Sequence, residues 1–257
     1  MSLEGTDLDK LALSTEKLLA GTDSKITTIG YYCNPIQYAE HRKTLENVIC
    51  TAGEFGATHV STFAGAWEGK SVESSYEEFG KVFRELADLA EEKGVKLGIE
   101  NCLMDGTWEH ATCNIGFNPK AWEVMFEEVK NDNFGLEWEP THQMVQLIDP
   151  VTELRKWCKK IVHIHGKDAT IDWDAVRHSG ISGAVPFVWQ RMPGFGDPNW
   201  RDIISILRSN GYEDDICIEG YHDPVYSGEL EMTGQLHALN YLKWCRGGDF
   251  TPTPWAK

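Results

Sequence analysis

The chain has 257 residues, with 24 lysine and arginine residues against 40 aspartate and glutamate residues, so its formal net charge is −16. A chain of this length can bury a full hydrophobic core as a single domain without disulfide or metal cross-links. The negative charge argues against nucleic acid as a partner, because binding to phosphates requires clusters of basic residues.

The cysteine count and the distribution of apolar residues predict the cellular compartment of the protein. Seven cysteines are present, and none lies in a Cys-x-x-Cys pair, which indicates reduced thiols. The chain shows no signal-peptide pattern and no apolar stretch long enough to span a bilayer. We therefore expect a cytoplasmic protein with no membrane partner. We expect one domain over residues 1–257, with a tag or disordered start at 1–6 and a tail at 247–257.

Short apolar segments alternate with segments of helical periodicity in repeats of roughly 25 to 40 residues, the size of a βα unit. Most of the short segments are apolar nearly throughout, which is typical of parallel strands buried on both faces. The predicted strands are Lys25–Tyr32, His59–Phe63, Lys96–Glu100, Asn133–Glu137, Ile161–His165, Phe187–Arg191 and Asp215–Glu219.

Amphipathic helices are predicted between these strands, because apolar residues recur at spacings of three and four. The apolar stripes, in chain order, are Leu45, Val48, Ile49 and Ala52; then Tyr76, Phe79, Val82, Phe83, Leu86, Leu89 and Ala90; then Trp200, Ile203, Ile204 and Leu207. We interpret these positions as core.

Two architectures fit repeated strand–helix units that lack a glycine-rich phosphate loop: a doubly wound sheet and a (β/α)8 barrel. Polar residues stand at the carboxyl ends of several different strands. In a barrel those ends converge on one mouth, which carries the catalytic groups. The pattern therefore favours an α/β fold, a (β/α)8 TIM barrel with parallel strands.

The strand ends carry carboxylates and imidazoles. Glu100 and Glu219 end their predicted strands, Glu139 follows Glu137 after another strand, and the fifth strand carries His163 and His165 on one face. These are ligands that Mn²⁺, Mg²⁺, Co²⁺ or Zn²⁺ accepts. A single glutamate at a strand end is more often a solvated loop residue, so it is the combination that favours a metal site.

The other histidines have a different interpretation. His59 opens its strand, at the opposite end from the predicted mouth, and is interpreted as structural. We expect a surface position for the four histidines that lie away from strand ends, which are His41, His110, His178 and His237.

Six motifs in order resemble the xylose-isomerase-like (β/α)8 superfamily of sugar and sugar-phosphate isomerases and epimerases. They are YYCNP, GIEN, EPTH, HIHGKDA, RMPGFGDPNW and CIEGYHD, and the likeness extends from about Asp7 to Arg246. The resemblance implies one divalent metal ion held by a glutamate on the fourth family strand, an acid on the fifth, a histidine on the sixth and a glutamate on the eighth.

Matched motif by motif, the resemblance points to Glu100, Glu139, His165 and Glu219 as metal ligands. The family usually has Asp-Pro-Ser-His where this chain has Glu-Pro-Thr-His at 139–142, so Glu137, two residues earlier, is a possible substitute. In the epimerase branch the glutamates on the fourth and eighth strands exchange protons with the substrate through a metal-stabilised enediolate. The resemblance therefore implies that Glu100 and Glu219 act as acid and base.

Further residues are predicted to bind the substrate, a small sugar or polyol. His142 resembles the substrate-binding histidine after the fifth family strand, and Arg191 precedes a loop that resembles the one after the seventh. Lys167 has two interpretations, a substrate contact or a buried ion pair with Asp168. Trp67 is predicted to stack on the sugar or to pack in the core, and His163 is predicted to face the same mouth.

Four functions remain open at this point. The leading one is a metal-dependent sugar isomerase or epimerase, and we expect a homo-oligomer because relatives commonly form one. A dehydratase like the inositol-catabolism enzyme would use the same metal. An apurinic endonuclease needs a three-zinc cluster and a basic groove, against which the net charge argues. A non-catalytic sugar-binding barrel is the fourth.

The strand count predicts a departure from the family. Seven strands are predicted, and the motif YYCNP near the start belongs to the family's second strand. The residues before it, Asp7–Ala20, are predicted to be a helix. We therefore expect a barrel that lacks the first βα unit, either naturally or because this sequence begins inside the natural one.

Overall fold

A computed structural model of the chain describes residues 6–248 and 251–253. The predicted start at 1–6 and the predicted tail at 247–257 therefore lie largely outside the described residues. The described residues form two compact units. The first comprises Met1–His142, where described, and Lys160–Ile164; the second comprises Gln143–Lys159 and His165–Lys257, where described.

Helices and strands alternate along the described residues. The helices are α1 Leu8–Leu19, α2 Ala39–Thr51, α3 Tyr76–Glu92, α4 Pro119–Glu128, α5 Pro140–Met144, α6 Pro150–Trp157, α7 Trp173–Ser179, α8 Trp200–Ser209 and α9 Glu231–Cys245. The strands are β1 Thr28–Gly30, β2 His59–Thr62, β3 Lys96–Glu100, β4 Phe134–Trp138, β5 Ile161–Gly166, β6 Asp168–Ile171, β7 Val188–Arg191 and β8 Ile216–Ile218.

The first unit contains a parallel sheet. Strands β1 to β4 pair in chain order, and β4 pairs with the start of β5. Glu137 lies in register with Glu100 on one side and with His163 on the other. All five residues of β4 are buried, as the apolar pattern predicts for a strand covered on both faces.

The core of the first unit depends on α3, whose predicted apolar stripe is confirmed. Phe79 and Phe83 are wholly buried and stack with ring centroids 4.6 Å apart. The ring of Phe83 also lies 6.0 Å from that of Phe134 on β4, so helix and sheet share one aromatic cluster. Gly135 on β4 lies close to the residue before β5. A Cβ added at Gly135 would lie only 2.3 Å from the carbonyl oxygen of Lys160, so the two strands approach closely here.

In the second unit, the end of β5 and β8 are joined by a hydrogen bond from the Glu219 amide to the carbonyl of Gly166, at 3.1 Å. The hydrogen-bonded order of the sheet strands is thus β1-β2-β3-β4-β5-β8. Helix α8 buries its predicted stripe, and Asn199 caps its N-terminus with a side chain that accepts hydrogen bonds from the first turn.

One strand of the second unit differs from the prediction. The segment predicted as Phe187–Arg191 forms β7, but it pairs antiparallel with β6 in a separate hairpin. The sequence does not predict β6, because one residue, Lys167, separates it from β5 and its last two residues are half-buried. Without a turn signature or a long apolar run, its pattern is indistinguishable from a loop after β5.

The cysteines of the described residues are all free, as predicted. Cys33, Cys102 and Cys158 are buried, whereas Cys50 is exposed. Within the described part of the chain, no helix combines the length and the apolar composition needed to cross a membrane.

Candidate active site

The carboxyl ends of β3 and β4 place two buried carboxylates in the first unit. Glu100 ends β3 with 7% of its surface exposed, and Glu139 follows β4 with none exposed. Asn101 joins the two strand ends: its side-chain oxygen accepts from the Glu139 amide at 2.7 Å, and its Nδ2 donates to the Glu139 carbonyl at 2.9 Å. Asn114 donates to the carbonyl of Glu100 at 2.9 Å. The backbones that carry both glutamates are therefore fixed.

His142 lies next to Glu139 in the same unit. It stands three residues later in α5, one helical turn away, with its Nε2 3.4 Å from Glu139 Oε1. The imidazole is mostly buried, so it contacts the carboxylate in surroundings where charges interact strongly. The predicted neighbourhood of Glu139 and His142 is thus present.

Glu137, the alternative ligand, belongs to a different polar group of the first unit. Its Oε2 accepts a hydrogen bond from the hydroxyl of Tyr32 at 2.8 Å, and its Oε1 lies 3.8 Å from His163 Nε2. His163 Nδ1 in turn lies 3.4 Å from the hydroxyl of Thr28. Glu137 and His163 are both buried, so the two side chains form one buried polar group with Tyr32 and Thr28.

The second unit brings together three of the predicted residues. His165 near the end of β5 lies with its Nδ1 3.1 Å from Glu219 Oε2. Lys167 donates from Nζ to the other oxygen, Oε1, at 2.8 Å, and its side chain is only 3% exposed. Burial alone raises the pKa of the Glu219 carboxyl, but the hydrogen bond from His165 and the charge of Lys167 outweigh burial, so the pKa lies well below its ordinary value.

Arg191 is the last residue of β7, and the loop that follows it is fixed at its glycines. The carboxylate of Asp168 on β6 accepts hydrogen bonds from the amides of Gly194 and Gly196, at 2.8 and 3.1 Å, and from the indole of Trp200. A Cβ at Gly196 would lie 2.5 Å from that of Asp168, which explains the glycine. Arg191 Nε donates to Asp223 at 3.3 Å.

Trp67 and His59 are the remaining predicted residues. Trp67 is half-buried; its amide donates to the hydroxyl of Ser75 at 2.9 Å, and Lys70 Nζ lies 5.8 Å from its ring centroid. Its stacking role remains a prediction. His59 is buried and bonded to Thr58, in agreement with a structural role.

The surface expectation holds for only two of the four other histidines. His110 and His178 are exposed, but His41 and His237 are half-buried. His41 Nδ1 accepts from the Asn34 amide at 3.2 Å, and His237 stacks on Phe195 at 4.0 Å. The expectation was wrong for these two because a helix position alone does not show which residue packs against it.

Several residues with a role in this geometry were not predicted. Asn101 and Tyr32 lie inside the motifs GIEN and YYCNP, close to the ends of their strands. Their position near a strand end was the signal that could have identified them. Asn114 and Asp223 act through hydrogen bonds across the fold, and no local sequence pattern indicates such bonds.

The donor set suits a divalent cation. Buried carboxylates are normally paired or bind a metal, because an isolated ion loses its hydration. Three carboxylates and one imidazole, from Glu100, Glu139, Glu219 and His165, match the oxygen and nitrogen preferences of Mn²⁺, Co²⁺ and Zn²⁺. Each of the four predicted ligands therefore has a donor type that such an ion binds.

A curated relative and three solved structures resemble the chain. Inosose dehydratase from Clostridium tetani is 26% identical over 174 residues, which is 66% of this chain but only 55% of that protein, so the chain matches little more than half of its length. A xylose isomerase domain protein from Planctomyces limnophilus has a TM-score of 0.72 at 18% identity, with 93% of this chain and 83% of that chain covered.

Two further structures share the fold. The IolI protein, solved with a zinc atom, has a TM-score of 0.65 at 20% identity, with coverage of 95% of this chain and 81% of that chain. The 3-keto-D-glucoside 4-epimerase YcjR from E. coli has a TM-score of 0.68 at 14% identity, with coverage of 93% and 86%. The family model described as xylose isomerase-like TIM barrel matches residues 5–243, and the chain therefore belongs to this family.

Proposed function

We propose that the protein is a divalent-metal-dependent isomerase or epimerase of a sugar or sugar phosphate, and that Glu100, Glu139, His165 and Glu219 bind its metal ion. The observation that carries the proposal is the position of these residues. They lie at or directly after the carboxyl ends of β3, β4, β5 and β8, which are consecutive in the hydrogen-bonded order of the sheet. In this fold such ends supply the active site.

The reaction begins with removal of a proton from the carbon beside a carbonyl. A bound divalent cation would stabilise the negative charge that develops on the substrate oxygen. We assign the proton-accepting role to Glu219, which directly follows β8 and which Lys167 and His165 keep ionised. Glu100, buried at the end of β3, is then the proposed partner that returns a proton to the substrate.

The substrate-binding roles follow the same geometry. We propose that His142 donates to a substrate oxygen, since its ring already lies beside the ligand Glu139. Arg191 is proposed to bind hydroxyl oxygens, with Trp67 and His163 as further contacts. Glu139 is preferred over Glu137 as ligand, because Glu137 already accepts the hydrogen bond of Tyr32.

A dehydratase is the second candidate function. The ammonium of Lys167 lies 2.8 Å from the proposed base Glu219 and is able to protonate a departing hydroxyl group. The similarity to inosose dehydratase supports this alternative. Both candidates share the first step, removal of a proton beside a carbonyl, and they differ in whether the sugar then loses water.

One experiment tests both candidates. The Mn²⁺-loaded protein is incubated in D₂O with ketoses, their phosphates and keto-polyols, and products are followed by NMR. An isomerase or epimerase incorporates deuterium and keeps every substrate oxygen, whereas a dehydratase releases water. Glu219→Gln should abolish turnover, and Glu213→Gln, at an exposed position, should retain it. Absence of deuterium exchange with every substrate would contradict the proposal.

A further inference from the structure

Asp223 is a buried carboxylate four residues after Glu219. Its side chain is wholly buried, and both of its oxygens are used. Oδ1 accepts from the amides of Val225 and Tyr226, at 2.8 and 2.9 Å. Oδ2 accepts from the Met192 amide at 2.7 Å and from Arg191 Nε at 3.3 Å. One carboxylate therefore joins the loop after β8 to the end of β7.

The loop that leads to Asp223 is held in a strained and closely packed conformation. His222 has a φ of +71°, in the left-handed region that non-glycine residues rarely adopt. A Cβ added at Gly220 would lie 2.0 Å from the Cε of Met192, so the backbone directly after Glu219 rests on that side chain. The backbone amide of Met192 donates to Asp223 in the same loop, so both the side chain and the backbone of Met192 contact the loop after β8.

A turn alone does not explain a buried carboxylate at this position. The amides of Val225 and Tyr226 occupy one oxygen, and an uncharged asparagine side chain would also accept these bonds. The second oxygen of the carboxylate pairs with the positively charged guanidinium of Arg191. A hydrogen bond between charged groups is stronger than one between neutral groups.

Arg191 is held on a second side as well. Its guanidinium carbon lies 5.7 Å from the ring centroid of Phe195, within the range of a cation–π contact. The ring of Phe195 stacks on Tyr226 at 4.2 Å, and Tyr226 belongs to the turn that Asp223 closes. The contacts of Asp223 therefore restrict both the Nε edge and the face of the guanidinium.

We infer that Asp223 is a positioning residue, which orients Arg191 so that its two terminal nitrogens meet substrate oxygens. The inference rests on the proposed function, because it needs Arg191 to bind substrate. Asp223 itself acts through Arg191 and does not touch the reacting atoms.

A double-mutant cycle tests the inference. Asp223→Asn keeps an oxygen for Val225 and Tyr226 but presents an amide group to the two donors at 191 and 192. With the substrate that the panel above identifies, Asp223→Asn should lower kcat/KM by about 10- to 100-fold, the value of a hydrogen bond to a charged group. In the Arg191→Met background the same change should cost less than about threefold, because the partner is already missing.

A matched control is available in the same unit. Asp172 also accepts a hydrogen bond from a backbone amide, that of Ala175 at 2.8 Å, at the start of α7. Asp172→Asn should leave kcat/KM unchanged. If Asp223→Asn caused the same loss with and without Arg191, its role would be merely structural and the inference would be overturned. An undiminished kcat/KM in Asp223→Asn would also overturn it.

A second measurement needs neither a variant nor turnover. In ¹⁵N NMR spectra of the wild-type protein, the Nε–H signal of Arg191 should exchange slowly with water because it donates to a buried carboxylate. Rapid exchange would contradict the inference directly. If the wild-type protein turns over no substrate but the signal exchanges slowly, the proposed function fails while the contact from Asp223 to Arg191 stands.

Discussion

The contact between Lys167 and Glu219 makes a strong prediction about stability. Lys167→Met keeps most of the buried aliphatic stem and removes the ammonium that lies 2.8 Å from Glu219. At this distance, and with an effective dielectric constant of about 20, the gross attraction is about 6 kcal/mol. Desolvation of both groups offsets much of it, and the Glu219 side chain is 30% exposed. We expect a net loss of about 2–3 kcal/mol in the free energy of unfolding.

The loss should depend on pH. The pKa of Glu219 is lowered in the folded protein, so this contact contributes its full stability above the pKa of an unfolded glutamate, about 4.3. The contribution disappears as pH falls through the lowered pKa. The difference between wild type and Lys167→Met should therefore be largest near neutral pH and should shrink below about pH 4.

Urea unfolding of the metal-free protein, followed by tryptophan fluorescence at several pH values, measures this difference. Lys159→Met is the matched control, because Lys159 is exposed in the same unit and its replacement should change stability by less than about 0.5 kcal/mol. If Lys167→Met were as stable as Lys159→Met near neutral pH, the reasoning about the ion pair would be refuted.

Three other changes have defined outcomes. Phe83→Ala removes a wholly buried ring from the aromatic cluster and should cost about 3–5 kcal/mol in chemical unfolding; a cost below 1 kcal/mol would contradict its place in the core. Gly135→Ala should lower the free energy of unfolding by about 1–3 kcal/mol, because the added Cβ would lie 2.3 Å from a carbonyl oxygen. Gly53→Ala, with open space around the added Cβ, should not destabilise the protein, and equal stability of the two variants would disprove the close approach. Asn101→Ala should weaken Mn²⁺ binding about 10- to 100-fold in calorimetric titration, because outer-shell bonds position ligands; unchanged affinity would argue against the role of Asn101.

Much of the fold was predictable because it depends on periodicity. The stripe of α3 and the apolar run of β4 bury the residues that their spacing indicates. The hairpin of β6 and β7 was not, because its antiparallel pairing joins two segments that α7 separates in the chain. Local pattern contains no information about such a partner.

The candidate site shows the same division. Glu100 and Glu219 could be proposed as site residues from the sequence, because the carboxyl ends of parallel strands are where this kind of fold carries its chemistry. The contacts of Asn101 and Asp223 were not predicted, since they are hydrogen bonds between distant segments. The proposal of Glu139 over Glu137 also rests on side-chain contacts, because the sequence left both glutamates as candidate ligands.

The position of a metal ion tests the central claim most directly. Crystals grown with Mn²⁺ or Zn²⁺ should show one anomalous scattering peak per chain, with ligand oxygens from Glu100, Glu139 and Glu219 and a nitrogen from His165 at about 2.0–2.3 Å. Glu139→Gln should lose the peak or much of its occupancy. A peak held by Glu137 and His163 instead, or no peak at a saturating metal concentration, would contradict the account.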